Sequence, residues 1–161
     1  MKNIILGELN GIEGDENAIK GMGNQLQGHE NIASGKYNRA RGSGNTFLGD
    51  KNSARGNENQ IMGLRNKAHG DSNSIAGQYN KMKGDENVIE GHGNYGHGNE
   101  NAIQGHRNRF TGDRNGIKGS LNRIKGNDNK VIGDINYVRA EKSEVQGSLN
   151  HVRGEELVII G

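Results

Sequence analysis

The 161 residues include no cysteine, no proline and no tryptophan, only 2 Phe and 4 Tyr, and a hydrophobic share of 29%. Each shortage excludes something. Without Cys there is no disulfide framework and no thiolate metal site, and nothing ties the chain to a redox compartment. The apolar share lies far below the ~45–50% of ordinary soluble domains, so a core of the usual thickness cannot form. That composition overlaps the range in which chains stay disordered, although a flexible tail would carry proline. The apolar opening Ile4-Ile5-Leu6 in MKNIILGELNG is shorter than the ~7–15 residues of a signal-peptide core. No segment approaches the ~20 apolar residues of a membrane span, so the chain is expected to insert into no membrane. An excess of one charge sign is also missing. With 21 Lys+Arg against 19 Asp+Glu, the net charge is +2, so any attraction for a polyanion must come from arrangement.

Glycine, by contrast, is abundant at 28 residues, and it is periodic. From Gly7 to Ile160 the chain divides without insertion into 22 heptads of consensus G-x-x-N-x-[I/V/A]-x. Gly holds position one except at Ala140, and Asn holds position four except at Ser143 and Leu157. A coiled coil is excluded, because Gly costs ~1 kcal/mol at each helical position and only one apolar position per heptad is offered where two are needed. Positions four to seven alternate as a strand does: Asn inward, x outward, Ile inward, x outward. Gly supplies the positive φ or close approach of a tight corner. Each heptad is therefore a short strand plus a turn, and stacking them gives an all-β parallel β-solenoid, or β-roll.

The coil contains two heptads. Position six of the even heptads is mostly large (Ile61, Ile75, Ile89, Ile103), whereas the odd heptads there hold Ala54, Ala68, Met82 and Gly96. The period is fourteen residues, giving about 11 coils that stack to ~50 Å at the strand spacing. Phe47 is expected to stack on Ala33 and face Ala40 and Ala54, and Phe110 to fill the void left by Gly96, as close packing requires. The inward Asn residues are expected to form a hydrogen-bonded ladder. The whole chain, 1–161, reads as one repeat domain, with residues 1–6 as an N-terminal cap strand and 7–160 as heptads. The irregular heptad AEKSEVQ, residues 140–146, reads as a bend or wider corner.

Several corners, KNIILG (2–7), NTFLG (45–49), NKVIG (129–133) and ELVIIG (156–161), resemble the S-V-A-I-G corners of the YadA-like head repeat of trimeric autotransporter adhesins. That head also carries fourteen residues per coil. The resemblance implies a left-handed parallel β-roll, three chains side by side, and a surface that binds host matrix proteins. Asn stands where the family has small Ser. An adhesin fragment would lie at the cell surface, whereas a full-length chain without a signal would be cytoplasmic or virion-associated.

Two faces carry the surface chemistry. Outward positions five and seven of the odd strands hold Arg39, Arg41, Arg55, Lys67, Lys81, Lys83, Arg109, Arg123, Lys125, Arg139 and Arg153, eleven of the 21 basic residues. His69, His97 and His151 share these rows, with Glu13 the only acid. Thirteen of the 19 acids fall at positions two and three of the even heptads, the corner that follows this strand. The face reads either as a solvated sheet neutralised by lateral ion pairs or as a ligand-binding face for a polyanion or a complementary protein. Nucleic acid is disfavoured by the bordering acids and scarce aromatics. The even strands instead turn Ile32, Leu48, Met62, Ala76, Val88, Ala102, Ile132, Val158 and Ile160 outward. An apolar stripe on so polar a protein is expected to be a subunit interface, and a homotrimer follows by analogy with the adhesin heads.

Other motifs dissolve into the repeat. Gly91, Gly93 and Gly96 match G-x-G-x-x-G, but no strand-then-helix context exists to hold a phosphate. His92 and His106 occupy the same position one coil apart and should stack, which makes them a weak metal candidate. Tyr37 and Tyr79 are expected to pack at the odd corners. An ice-binding face would need regular Thr rows, and only Thr46 and Thr111 exist. No catalytic constellation and no cofactor motif stands out. The expected function is a non-enzymatic structural or adhesive module, acting on protein or matrix ligands through its surface. The alternatives are an intracellular or phage filament assembling through the solenoid ends, and a polyanion-binding scaffold.

Overall fold

The computed structural model describes residues 2–161, and among them there is no helix. Twenty short strands form, and every strand pair is parallel and fourteen residues apart, as in Ile5↔Ile19 and Phe110↔Ile124. The even-heptad strands build one twelve-stranded sheet that runs from Ile4–Leu6 to Val158–Ile160, hereafter the long sheet. The odd-heptad strands build two four-stranded pieces. One runs from Gly11–Glu13 to Ser53–Arg55, the other from Arg109–Thr111 to His151–Glu155. Between them the sheet thins to single bridges, Ser53↔Lys67↔Lys81↔Tyr95↔Arg109. The molecule is thus a parallel β-solenoid of fourteen-residue coils, with one continuous and one interrupted sheet.

The strand period places position six inside, and the core is that column. Ile19, Phe47, Ile61, Ile75 and Ile89 of the long sheet are buried together with Leu26, Ala40, Ala54, Ala68 and Met82 of the interrupted one. Ala33 pairs with Phe47 as expected. A Cβ built on Gly96 would lie 1.8 Å from Cζ of Phe110. The Phe110 ring therefore occupies the space that the glycine leaves, and one side chain fills two coils.

Position four is buried as well, so each Asn must satisfy its amide internally. In the long-sheet column, Oδ1 of Asn73 accepts both the backbone N–H of Asn87 at 3.1 Å and its side-chain N–H at 3.0 Å. Asn45 also donates from Nδ2 to the corner carbonyl of Gly56 at 2.8 Å. Ser143, the one substitution in the buried ladder, reproduces both roles: its Oγ donates to the Glu141 carbonyl at 3.1 Å and accepts from the Leu157 N–H at 3.1 Å. The interrupted-sheet column is less regular. At Asn52, Asn66, Asn80 and Asn94 the amide turns back to the carbonyl four residues earlier. Among the described residues, Oδ1 of Asn52 and of Asn66 has no partner.

Corners explain the glycines. Gly28 has φ +121°, and a Cβ there would stand 2.1 Å from the carbonyl oxygen of Gly42 one coil on, so conformation and space exclude other residues alike. Position three is also left-handed, and here nineteen residues are not glycine, with φ between 40° and 64°. Even β-branched Ile135 adopts φ 60°, a conformation that costs an L-residue about 1–2 kcal/mol. At the bend expected over 140–146, a strand instead runs through the corner. Tyr137–Glu141 pairs with His151–Glu155 through Ala140↔Gly154 and Glu141↔Glu155, and the coil register is kept.

Candidate functional site

Outward positions five and seven of the odd strands set the eleven basic residues in two straight rows on the interrupted sheet. All eleven are exposed, and neighbours along a row meet in register, as Arg41↔Arg55, Arg109↔Arg123 and Arg139↔Arg153. Among the described residues none of the eleven is in an ion pair. The ion pairs described are His29–Asp15 at 4.0 Å, Arg114–Asp128 at 2.6 Å, Lys130–Glu144 at 2.8 Å and Lys142–Glu156 at 3.7 Å. Each joins like positions one coil apart on the even corner or the long sheet. The lateral neutralisation of the basic rows by the acidic corner, one of the two readings of this face, is therefore absent.

The rows are ordered by other means. Arg41 Nε donates to Gln27 Oε1 at 2.8 Å. Tyr95 lies between two cations of its own row, with Lys81 Nζ 5.0 Å and Arg109 Cζ 5.5 Å from its ring centroid. Arg123 stands 5.4 Å from the ring of Tyr137, and His151 meets that ring edge-on at 4.9 Å. Cation–π attraction of this kind holds the long side chains over the sheet. Hollows follow the position-seven row, and three of them lie along its cations. One of about 210 Å³ is lined by Arg39, Arg41, Arg55, Lys67 and His69 around Ser53. A second of about 440 Å³ runs past His69, Lys83, His97 and Thr111 to Asp113. A third of about 340 Å³ follows Lys125, Arg139 and Arg153.

The acidic corner has a structural task that the sequence reading missed. Its position-two side chains accept the backbone N–H of the same position one coil earlier: Asn57 N–H to Asp71 at 2.6 Å, Asp71 to Asp85 at 2.7 Å, Asp85 to Asn99 at 2.8 Å and Asn99 to Asp113 at 2.7 Å. Short side chains with an oxygen (Asp, Asn, Ser) make most of this second, outer ladder, and His29 Nδ1 accepts from the Asp15 N–H at 3.2 Å in the same place. The near-exclusive use of those types at position two of the central even heptads was the available signal. Arg114 and Asp128 form a two-point pair, Nε–Oδ1 at 2.6 Å and Nη2–Oδ2 at 2.9 Å. The hydrogen bond from Arg114 holds the Asp128 carboxyl below the usual range.

On the long sheet the nine apolar residues all point outward, but as patches. Leu48 pairs directly with Met62, Val88 with Ala102, and Val158 and Ile160 stand apart at 72% and 77% exposure. Between them, Lys118 and the Lys130–Glu144 pair break the stripe. Ala102 and Gly116 floor a trough of about 480 Å³ bounded by Val88, Lys130 and Ile132. Thr46 lies on this sheet and Thr111 on the other, so no Thr row forms.

His92 and His106 stack with centroids 4.5 Å apart and planes 3° from parallel, while no group of three or more possible metal ligands gathers among the described residues. Tyr37 and Tyr79 lie on the outside of the odd corners, 56% and 57% exposed. The Tyr37 ring covers Gly23 of the corner one coil back, and Arg65 of the neighbouring corner lies 5.7 Å from the Tyr79 ring centroid. Their left-handed backbone at position three turns them out.

The fold and this surface define a β-roll repeat protein. The family model described as a grass antifreeze beta roll matches residues 1–77, just under half of the chain. No curated protein matches. Among solved structures, the polySia specific acetyltransferase NeuO is similar at 12% identity and a TM-score of 0.25, over 92% of this chain and 80% of that one, a likeness too slight to define a shared fold.

Proposed function

We propose that the chain is a non-enzymatic adhesive module, in the manner of the YadA-like heads: a rigid β-roll that turns one basic face to an acidic partner surface and one apolar face to further copies of itself. The observation that carries this reading is the absence of ion pairs on eleven exposed, regularly spaced cations. Cations that serve only to offset their neighbours would be expected to meet the adjoining carboxylates. Salt-gradient elution from immobilised heparin tests it. Lys81→Glu with Lys83→Glu is expected to weaken retention about tenfold or more and to flatten its salt dependence, and unchanged retention would remove the basic face from the proposal. Trimer formation through the long sheet is tested by sedimentation: Leu48→Glu with Met62→Glu is expected to convert an oligomer into monomer. A wild-type chain that is already a monodisperse monomer would sink the trimer.

A second reading, ice binding, draws on the family match over residues 1–77 and on the unbroken twelve-stranded run of the long sheet. Against it stand Lys20, Glu90 and Lys118, which interrupt the outward rows. Measurement of thermal hysteresis decides: activity that disappears when bulk is added at Thr46 and Ser74 would favour this reading over adhesion.

A further inference from the structure

We propose that the basic face takes an acidic polysaccharide, laid along the solenoid axis as a single extended chain; this rests on the reading of that face as the ligand surface. The shape of the charge is the first argument. From the strand of Arg39 to that of His151 there are nine strand positions at fourteen-residue steps, a strip ~38 Å long. Its two rows lie two residues apart, ~7 Å, on each strand. The acidic corner borders it on one side. A strip so narrow matches one extended chain, while a duplex, with a groove alone ~12 Å wide, would overlap the acids. The three hollows run in the same direction, from Arg41 through Lys83 to Arg153, so the relief of the surface follows the charge.

Among single-chain polyanions the side chains then discriminate. Binding of single-stranded nucleic acid relies on bases stacking on open aromatic faces. Here the Tyr95 ring already carries Lys81 and Arg109, and the Tyr137 ring carries Arg123. These rings act as props that fix cations in place, which lowers the ordering cost of binding. An acidic peptide would need partners for its own backbone, and peptides find them at a sheet edge. This is a sheet face, whose backbone groups are spent between coils. A polysaccharide has neither requirement. Its hydroxyls stay in water or meet Ser53 and Thr111, and its carboxylates or sulfates hang from a chain that advances per sugar by about one strand spacing. Anionic groups and cation rows can then stay in step over several coils.

The test titrates the full chain calorimetrically at two salt concentrations. The probes are heparin and hyaluronan oligosaccharides of increasing length, oligothymidylate, and polyglutamate of matched charge. Saccharide affinity is expected to rise with length, to level off at about eight sugars where the strip is covered, and to exceed that of the other two polymers about tenfold. Oligothymidylate or polyglutamate binding as tightly as the saccharides would overturn the polysaccharide assignment while leaving the basic face intact. Saccharide affinity independent of length would overturn the axial placement. If no probe binds, or if the doubly charge-reversed Lys81→Glu/Lys83→Glu chain binds each as well as wild type, the underlying reading of the face fails too.

Discussion

The same heptad builds both sheets, yet the long sheet runs unbroken through twelve strands while its counterpart thins to single bridges between Ser53 and Arg109. Three differences coincide at that waist. The interrupted sheet contributes Ala54, Ala68 and Gly96 to the core where the long sheet contributes Ile61, Ile75 and Ile103. Its asparagines there turn back across the corner to carbonyls of the preceding long-sheet heptad, and two amide oxygens are without a partner among the described residues. Its corner lacks a continuous outer ladder, which the even corner maintains from His29 to Asn127. Backbone pairing between coils therefore depends on side chains that space the coils from within. Where they shrink, the ladder loosens before the coil is lost.

The largest effect is expected where the thin sheet depends on one residue. Phe110→Ala removes the ring that fills two coils and should cost about 3–5 kcal/mol, at least as much as Ile103→Ala on the long sheet. Urea denaturation measures both, and a Phe110→Ala cost below that of Ile103→Ala would contradict the shared-void packing. The two Asn columns should separate next. Asn87→Ala leaves the N–H of Asn101 and an amide of the regular ladder without an acceptor and should cost about 2–3 kcal/mol. Asn66→Ala, whose Oδ1 is already unpartnered, should cost clearly less. Equal losses would mean that the columns do not differ in strength. At the corners, Ile135→Gly should stabilise by about 1 kcal/mol, since Gly accepts φ 60° without the Cβ penalty. A lower melting temperature would show that Ile135 makes a contact worth more than its strain. The smallest effect belongs to Asp128. Its folded pKa is depressed, chiefly by the hydrogen bond from Arg114, so its contribution is present above the ordinary carboxyl range and lost as pH falls through the folded value. The pair is exposed, so Arg114→Ala should only slightly reduce the difference in stability between neutral and acidic pH, as thermal melts across that range would measure.

Much of this contrast was legible in the sequence. The position-six series gave the fourteen-residue coil and the Gly96–Phe110 exchange, because side-chain volume at a buried position is stated outright by residue type. The two outward faces followed from strand alternation. The left-handed position three left little trace: Gly23, Gly44 and Gly93 stand there, but Leu9, Tyr37, Glu58 and Ile135 share the same backbone conformation and no chemistry. The outer ladder was hidden for the opposite reason. Asp71 and Asp85 stand out in the sequence as charge, whereas their oxygens serve as hydrogen-bond acceptors. The turned asparagines, too, differ from their neighbours in orientation alone. What the repeat cannot encode is which of two equivalent carbonyls a side chain chooses.

The two-heptad coil has a genetic corollary. Loss or duplication of fourteen residues would shorten or lengthen the rod and leave every surviving side chain on its own face. Loss of seven would also keep the backbone in phase, Gly to Gly and Asn to Asn, yet everything downstream would change sides: Arg109, Arg123 and Arg139 would emerge among the apolar patches, and Val158 among the cations. Such a chain would fold and present a surface with its two halves transposed, so the length of a viable deletion reads out which property selection protects, the coil or the face.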